Sequence, residues 1–247
     1  MKKFFATLAV SAVSLIATSA FATSTNLVVN GGFENVTNGA GKFNNASASN
    51  LRGTTVATGW TSSGYAFIFT PGSADTTGAG PSGLKLWGPN DGSNNGLTTS
   101  PTGGNFLASD GVYQIGAIQQ MINGLVAGQT YQLSFDWAGA QQYNFTGPTT
   151  EGWQVSLGSQ TFNTPTISNV NHGFTGWRNQ TFTFTATGVS EMLSFLATGS
   201  PNGLPPFSLL DSVSLVAVPE PGSVPMMAIG ALALAAVVAR RRRQSQR

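Results

Sequence analysis

Between residues 131 and 137 the chain reads Tyr-Gln-Leu-Ser-Phe-Asp-Trp, with every odd position large and apolar and every even one polar. Only a strand of period two uses such an alternation, turning one face to a core and the other to water. Trp153-Gln154-Val155-Ser156-Leu157 and Thr181-Phe182-Thr183-Phe184-Thr185 repeat it. Shorter apolar runs at 26–30, 65–69, 84–87, 105–108, 113–122, 192–197 and 209–215 add further predicted strands. Turn signals separate them, among them Gly88-Pro89-Asn90-Asp91-Gly92, Asp110-Gly111 and Asn123-Gly124. The polar stretch 35–59 reads as a long surface connection. No segment of the body carries an apolar stripe at helical spacing. Roughly nine or ten short strands without helices predict an all-β jelly-roll β-sandwich.

Both ends stand outside this pattern. Lys2 and Lys3 precede the apolar run Phe4 to Ala17, and Ala20-Phe21-Ala22 is a small-x-small cleavage site. Residues 1–22 are thus predicted to be a secretory signal peptide, removed after Ala22. At the other end, Pro219, Glu220 and Pro221 make a turn that neither a strand nor a helix can continue. An uncharged run follows from Val224 to Ala239; as a helix it would reach about 24 Å, slightly short of the roughly 30 Å hydrocarbon core. Arg240, Arg241, Arg242 and Arg243 then mark its cytoplasmic end.

This order, Val-Pro-Glu-Pro-Gly, apolar span, arginine cluster, resembles the PEP-CTERM sorting signal of Gram-negative bacteria. The resemblance implies an exosortase-type membrane protease as partner, cutting near Pro219-Glu220-Pro221. A C-terminal transmembrane helix would hold the protein transiently in the inner membrane before release to the cell surface or exterior. The expected organisation is a signal peptide at 1–22, a β-sandwich domain at 23–217 and a sorting signal at 218–247.

The termini also supply most of the positive charge. Within the body, Lys42, Arg52, Lys85 and Arg178 stand against Glu34, Asp75, Asp91, Asp110, Asp136, Glu151, Glu191 and Asp211, a net charge of −4. That balance excludes a nucleic-acid footprint. There is no cysteine, so an exported domain of this kind relies on its core, with or without a metal.

Catalytic constellations are scarce. His172 is the single histidine, set in the turn-like Asn171-His172-Gly173, and no Gly-x-Ser-x-Gly elbow occurs. Zinc with several His or Cys ligands is excluded by counting, and no Gly-rich phosphate loop opens a helix. A carboxylate pair remains open, with Asp136 on the polar face of a strand and Glu151 opening another, as a polysaccharide hydrolase would need. Sugar recognition wants aromatic faces beside amides and carboxylates. Trp87 with Asn90 and Asp91, Tyr143, and Trp177 are the loop-proximal candidates, whereas Trp137, Trp153, Phe182 and Phe184 read as core.

Leu27-Val28-Val29-Asn30-Gly31-Gly32-Phe33-Glu34, set beside Leu210-Asp211-Ser212-Val213, resembles the galactose-binding-domain-like sandwich, a superfamily in which carbohydrate-binding modules are common. The resemblance implies one structural calcium, with Glu34 and Asp211 at its acidic positions. Segments 129–142 and 173–187 also resemble uncharacterised bodies found with PEP-CTERM tails. The expected function is an exported, non-enzymatic protein that binds extracellular polysaccharide or builds an exopolysaccharide layer. The alternatives are a hydrolase using a carboxylate pair and a purely structural surface protein.

Overall fold

A computed structural model describes residues 25–43, 54–79, 83–219, 230 and 232 of the chain. Thr25–Val218 forms one compact unit; the other combines Met1–Ser24 with Pro219–Arg247, of which Pro219, Gly230 and Leu232 are described, the last two being helical. The signal peptide and nearly all of the predicted span 224–239 lie outside the described residues. Among those described, no helix is long and apolar enough to cross a membrane.

The body is a two-sheet jelly-roll sandwich. Its strands are β1 (Gly41–Phe43), β2 (Thr54–Thr55), β3 (Thr61–Ser62), β4 (Ala66–Phe69), β5 (Phe106–Asp110), β6 (Ile118–Asn123), β7 (Thr130–Gln141), β8 (Thr149–Leu157), β9 (Gln160–Asn163), β10 (Ile167–Asn169), β11 (Arg178–Thr185), β12 (Ser190–Ser200) and β13 (Pro206–Ala217). One sheet runs β11-β7-β13-β5-β4-β1-β2; the other runs β10-β8-β12-β6-β3, with β9 paired to β8.

The alternation along β7 does what its period requires. Tyr131, Leu133, Phe135 and Trp137 turn inward and are buried against Trp153, Val155 and Leu157 of β8 and Leu193, Phe195 and Ala197 of β12. Each large apolar side chain so buried contributes about 1.5–3 kcal/mol. The opposite face of the same sheet is also covered. Phe67 and Phe69 of β4, Phe106 and Ala108 of β5, Ala138 and Ala140 of β7, and Phe207 and Leu209 of β13 form a second core. The β4–β5 connection closes over it with Ala74, Ala79, Leu84 and Leu86. Ala66–Phe69 is apolar at every position because it is buried on both faces.

Four readings need correction, the first being the run 113–122, which is a strand only from Ile118 onward. Residues 26–30 form no ladder; the chain bends at Val29 and Asn30, the latter with a φ of +55°. Leu27 N donates to Leu215 O and Asn26 Oδ1 accepts from Leu215 N, so the segment is tied to β13 at points only. The stretch 35–59 is not merely a surface connection, since it holds β1 and β2, with Phe43 and Thr55 buried. Segment 84–87 contributes isolated bridges, Ala79↔Leu84 and Leu86↔Gln142, instead of a strand.

Strand direction gathers loops 63–65, 111–117, 142–148, 170–177 and 201–205 at one end of the sandwich. β13 leaves the body at the other end, where Val218 N donates to Thr130 O.

Candidate functional site

At the loop end, segment 85–87 is zipped to the end of β7: Trp87 N donates to Gln141 O and Tyr143 N to Lys85 O, both at 2.9 Å. Leu86 is buried in the second core, which leaves Lys85 and Trp87 beside Tyr143. The Trp87 and Tyr143 rings lie 4.6 Å apart at 60°, and both are half-buried. His172 stacks on Trp87 with centroids 3.8 Å apart, and Trp87 Nε1 donates to Phe145 O at 2.8 Å. Lys85 Nζ sits 4.2 Å from the Tyr143 centroid and is ion-paired with Asp91. Asn90 is anchored by its backbone N and Nδ2 donating to Asp75 Oδ2.

His172 reaches the stack through a strained turn. Its φ is +56°, its N donates to Gln141 Oε1 at 2.8 Å, and its carbonyl accepts from Ser93 Oγ and Asn95 Nδ2. The sequence marks this turn by Asn171-His172-Gly173, but nothing in it pairs His172 with Trp87, some 85 positions away. Trp177 lies apart from the group. It packs on Phe106 and Phe174 at 5.5 and 6.4 Å, at the edge of the second core, and Nε1 donates to Thr99 O.

Glu34 and Asp211 flank Gly32, both within 4 Å of where its Cβ would stand. The arrangement depends on a bulge in β13 after Asp211, where Ser212 takes a φ of +55°. Gly31 approaches so closely that a Cβ would strike Val213 O, and Val213 N donates to Gly31 O at 3.0 Å. Glu34 Oε1 accepts from Asn105 N at 2.9 Å. Asp211 is fully buried; Oδ2 accepts from Thr102 Oγ1 and Ser212 Oγ, while Oδ1 has no hydrogen-bond partner. Burial pushes its carboxyl above the usual range, against hydrogen bonds from Ser212, Ser100 and Thr102 that pull it down. An open cavity of about 660 Å³, lined by Glu34, Gly32, Thr102, Gly104 and Ser212 among others, adjoins this point. Among the described residues, no three His, Cys, Asp or Glu converge on one point. The side-chain groups that meet here, the carboxylates of Glu34 and Asp211 and the hydroxyls of Thr102 and Ser212, offer only oxygen, the donor type that a hard cation such as calcium takes.

Asp136 and Glu151 do not form a pair. Trp137 and Phe135 face the interior, so Asp136 lies on the outer face of β7, where Asn179 Nδ2 donates to it. Glu151 points inward from β8 and lies against Gly139. The seven-stranded sheet therefore separates the two carboxyls, and no shared substrate reaches both.

Residues 217–243 match the PEP-CTERM protein-sorting motif, an export and sorting signal. Among curated proteins none matches the sequence. Solved structures with a similar fold include TmCBM61 in complex with beta-1,4-galactotriose, at 14% identity and a TM-score of 0.44, covering 79% of this chain and 100% of that one. Another is the K1 cleaved adhesin domain of Lys-gingipain from Porphyromonas gingivalis W83, at 11% identity and 0.43, covering 81% and 99%. A third is the CBM22-1 xylan-binding domain from Paenibacillus barcinonensis Xyn10C, at 11% identity and 0.39, covering 80% and 97%. Residues 91–215, just over half of the sequence, match the family model "Protein of unknown function (DUF642)", and the chain belongs to that family.

Proposed function

We propose that this is an exported, surface-directed protein whose sandwich binds extracellular polysaccharide without cleaving it, in an exopolysaccharide layer. The observation that carries the reading is the Trp87–Tyr143 pair, two half-exposed rings fringed by the Lys85–Asp91 ion pair and the exposed residue Asn144. A pyranose offers C–H faces and hydroxyls together, and such a surface answers both. His172 beneath Trp87 fixes the ring, which lowers the ordering cost of binding. The sorting motif supports the route in this reading, which is export, a hold in the inner membrane, and processing by an exosortase near Pro219-Glu220-Pro221. The test is electrophoresis of the full-length chain in detergent through gels containing single polysaccharides. Retention of the native chain, lost on Trp87→Ala, is expected; retention unchanged by Trp87→Ala would contradict this site.

A structural calcium at Glu34 and Asp211 belongs to the same reading. The ion would supply the unpaired Asp211 Oδ1 with a partner and fasten the 31–34 turn to the β13 bulge. Calcium at a hundred times its Kd should then stabilise the fold by about 2.7 kcal/mol. Thermal unfolding with calcium or chelator checks it. The shift should vanish in Asp211→Asn, and a native chain indifferent to calcium would remove the site.

A further inference from the structure

Among the described residues, β11 is the one long strand with an open side. It ends the seven-stranded sheet, and its eight residues, Arg178–Thr185, pair with β7 at every position without a bulge. The other edges are short: β2 and β3 have two residues each, β10 three and β9 four. Ala186 N donates to Gln129 O, and Ala186 O accepts from Gly128 N. Even-numbered residues of β11 therefore turn their backbone groups to β7, and odd-numbered ones turn theirs to the open side. There Asn179, Thr181 and Thr183 present N–H and C=O groups. Among the described residues, one side chain meets them: Gln180 Nε2 donates to Thr181 O at 3.1 Å. Exposed edges are ordinarily blunted by lysine, proline or bulges. β11 has none of these, and its one charge is Arg178.

At Thr185 the edge is already taken. Gln160 Nε2 donates to Thr185 O at 2.6 Å and Gln160 Oε1 accepts from Thr185 N at 3.1 Å. A side-chain amide thus fills the place of a neighbouring strand and stops the open edge at Thr183. Beside it Phe162 of β9, 39% exposed, stacks on Phe182 with centroids 5.3 Å apart at 14°. A second copy of the chain fits what remains. A two-fold axis at Thr181 lays two β11 strands antiparallel, with Thr181 against Thr181 and Asn179 against Thr183 on either side. Each of these pairs exchanges two backbone hydrogen bonds. Thr185 and Gln160 stay outside the pairing. Arg178 falls opposite Phe184, so no like charges meet, and Gln180 falls opposite Phe182.

We propose that two copies of the chain join edge to edge through β11, continuing the seven-stranded sheet across a two-fold axis at Thr181. The pairing does not depend on the polysaccharide reading. Because it is antiparallel, the two loop ends point opposite ways; under that reading the dimer carries a Trp87 site at each end and bridges two polysaccharide strands. The chain has no cysteine, so introduced thiols test the register. In the full-length chain in detergent, Thr181→Cys should give a disulfide-linked dimer on mild oxidation, because directly opposite Cα atoms of such a pair lie about 5.5 Å apart. Thr183→Cys should stay unlinked, its twin lying about 13 Å along the strand, and Asn179→Cys combined with Thr183→Cys should link again. Sedimentation should show a native dimer that is lost in Thr181→Pro, which removes a donor from the open side alone. Thr181→Lys leaves the backbone untouched and sets two ammonium groups face to face, so it should lose the dimer as well. No linking by Thr181→Cys, or equal linking by Thr183→Cys, would overturn the pairing. So would a native chain that sediments as a monomer, or a Thr181→Lys chain that dimerises as the native one does. Each of these failures leaves the polysaccharide reading standing.

Discussion

At pH 8, Glu151→Gln is expected to be more stable than the native chain by about 3 kcal/mol, and at pH 4 the two should unfold together. Glu151 is fully buried on the inner face of β8. Oε1 accepts from Thr149 Oγ1, while Oε2 has no partner. Burial pushes the carboxyl from 4.5 up to about 7, against hydrogen bonds from Thr149 and Asn169. Between these values the folded chain holds a proton that the unfolded chain has released. The group's contribution is therefore whole below pH 4.5 and declines as pH rises, by about 1.4 kcal/mol per pH unit until pH 7. Glutamine keeps the shape and stays neutral throughout. Asp110 and Asp211 are shifted upward as well and Glu191 downward, but these are common to both chains and cancel in the difference. Denaturant titration at the two pH values reads the effect. Equal midpoints at pH 8 would mean that the carboxylate is solvated or paired in the folded state.

Trp153→Ala should cost about 3–5 kcal/mol, enough to unfold a domain of ordinary stability. Trp153 on β8 meets Phe195 of the neighbouring strand β12 at 6.0 Å and 88°. Nε1 donates to Leu209 O of the opposite sheet at 3.1 Å. Trp153→Phe keeps most of the ring and loses the hydrogen bond, so it should cost about 1–3 kcal/mol. Circular dichroism during denaturation distinguishes the two variants. A loss below about 1 kcal/mol for Trp153→Ala would mean that the sheets do not meet at this ring.

The contrast between these residues shows what the sequence could convey. The period along 131–137 and 153–157 specified β7 and β8 because one face of each is core and the other is wet. The apolar run 65–69 is too apolar to face water on both sides, but nothing in it says what covers its second face. That cover is the β4–β5 connection, whose composition is that of a loop. β1 and β2 escaped because strands of two or three residues have no period to display. The Glu34–Asp211 neighbourhood was legible through resemblance alone, since the two residues are 177 positions apart. Trp87 and Tyr143 are legible as loop aromatics, yet their meeting depends on Trp87 N donating to Gln141 O and Tyr143 N to Lys85 O, which no local signal encodes. In the sequence, Tyr113 opens an apolar run that predicts a strand over 113–122. It lies instead before β6, lifted by the Asp110 turn, and the Asp110-Gly111 pair was the one hint of it. Asp136 and Glu151 had the right chemistry for a hydrolase, and the sheet between them removes that geometry.

The most direct test of the central claim is to incubate the full-length chain with each polysaccharide that retains it and to measure reducing ends over time. Binding without cleavage predicts retention with no release above a protein-free control. Release of reducing ends that scales with protein concentration would contradict the account and make the protein an enzyme.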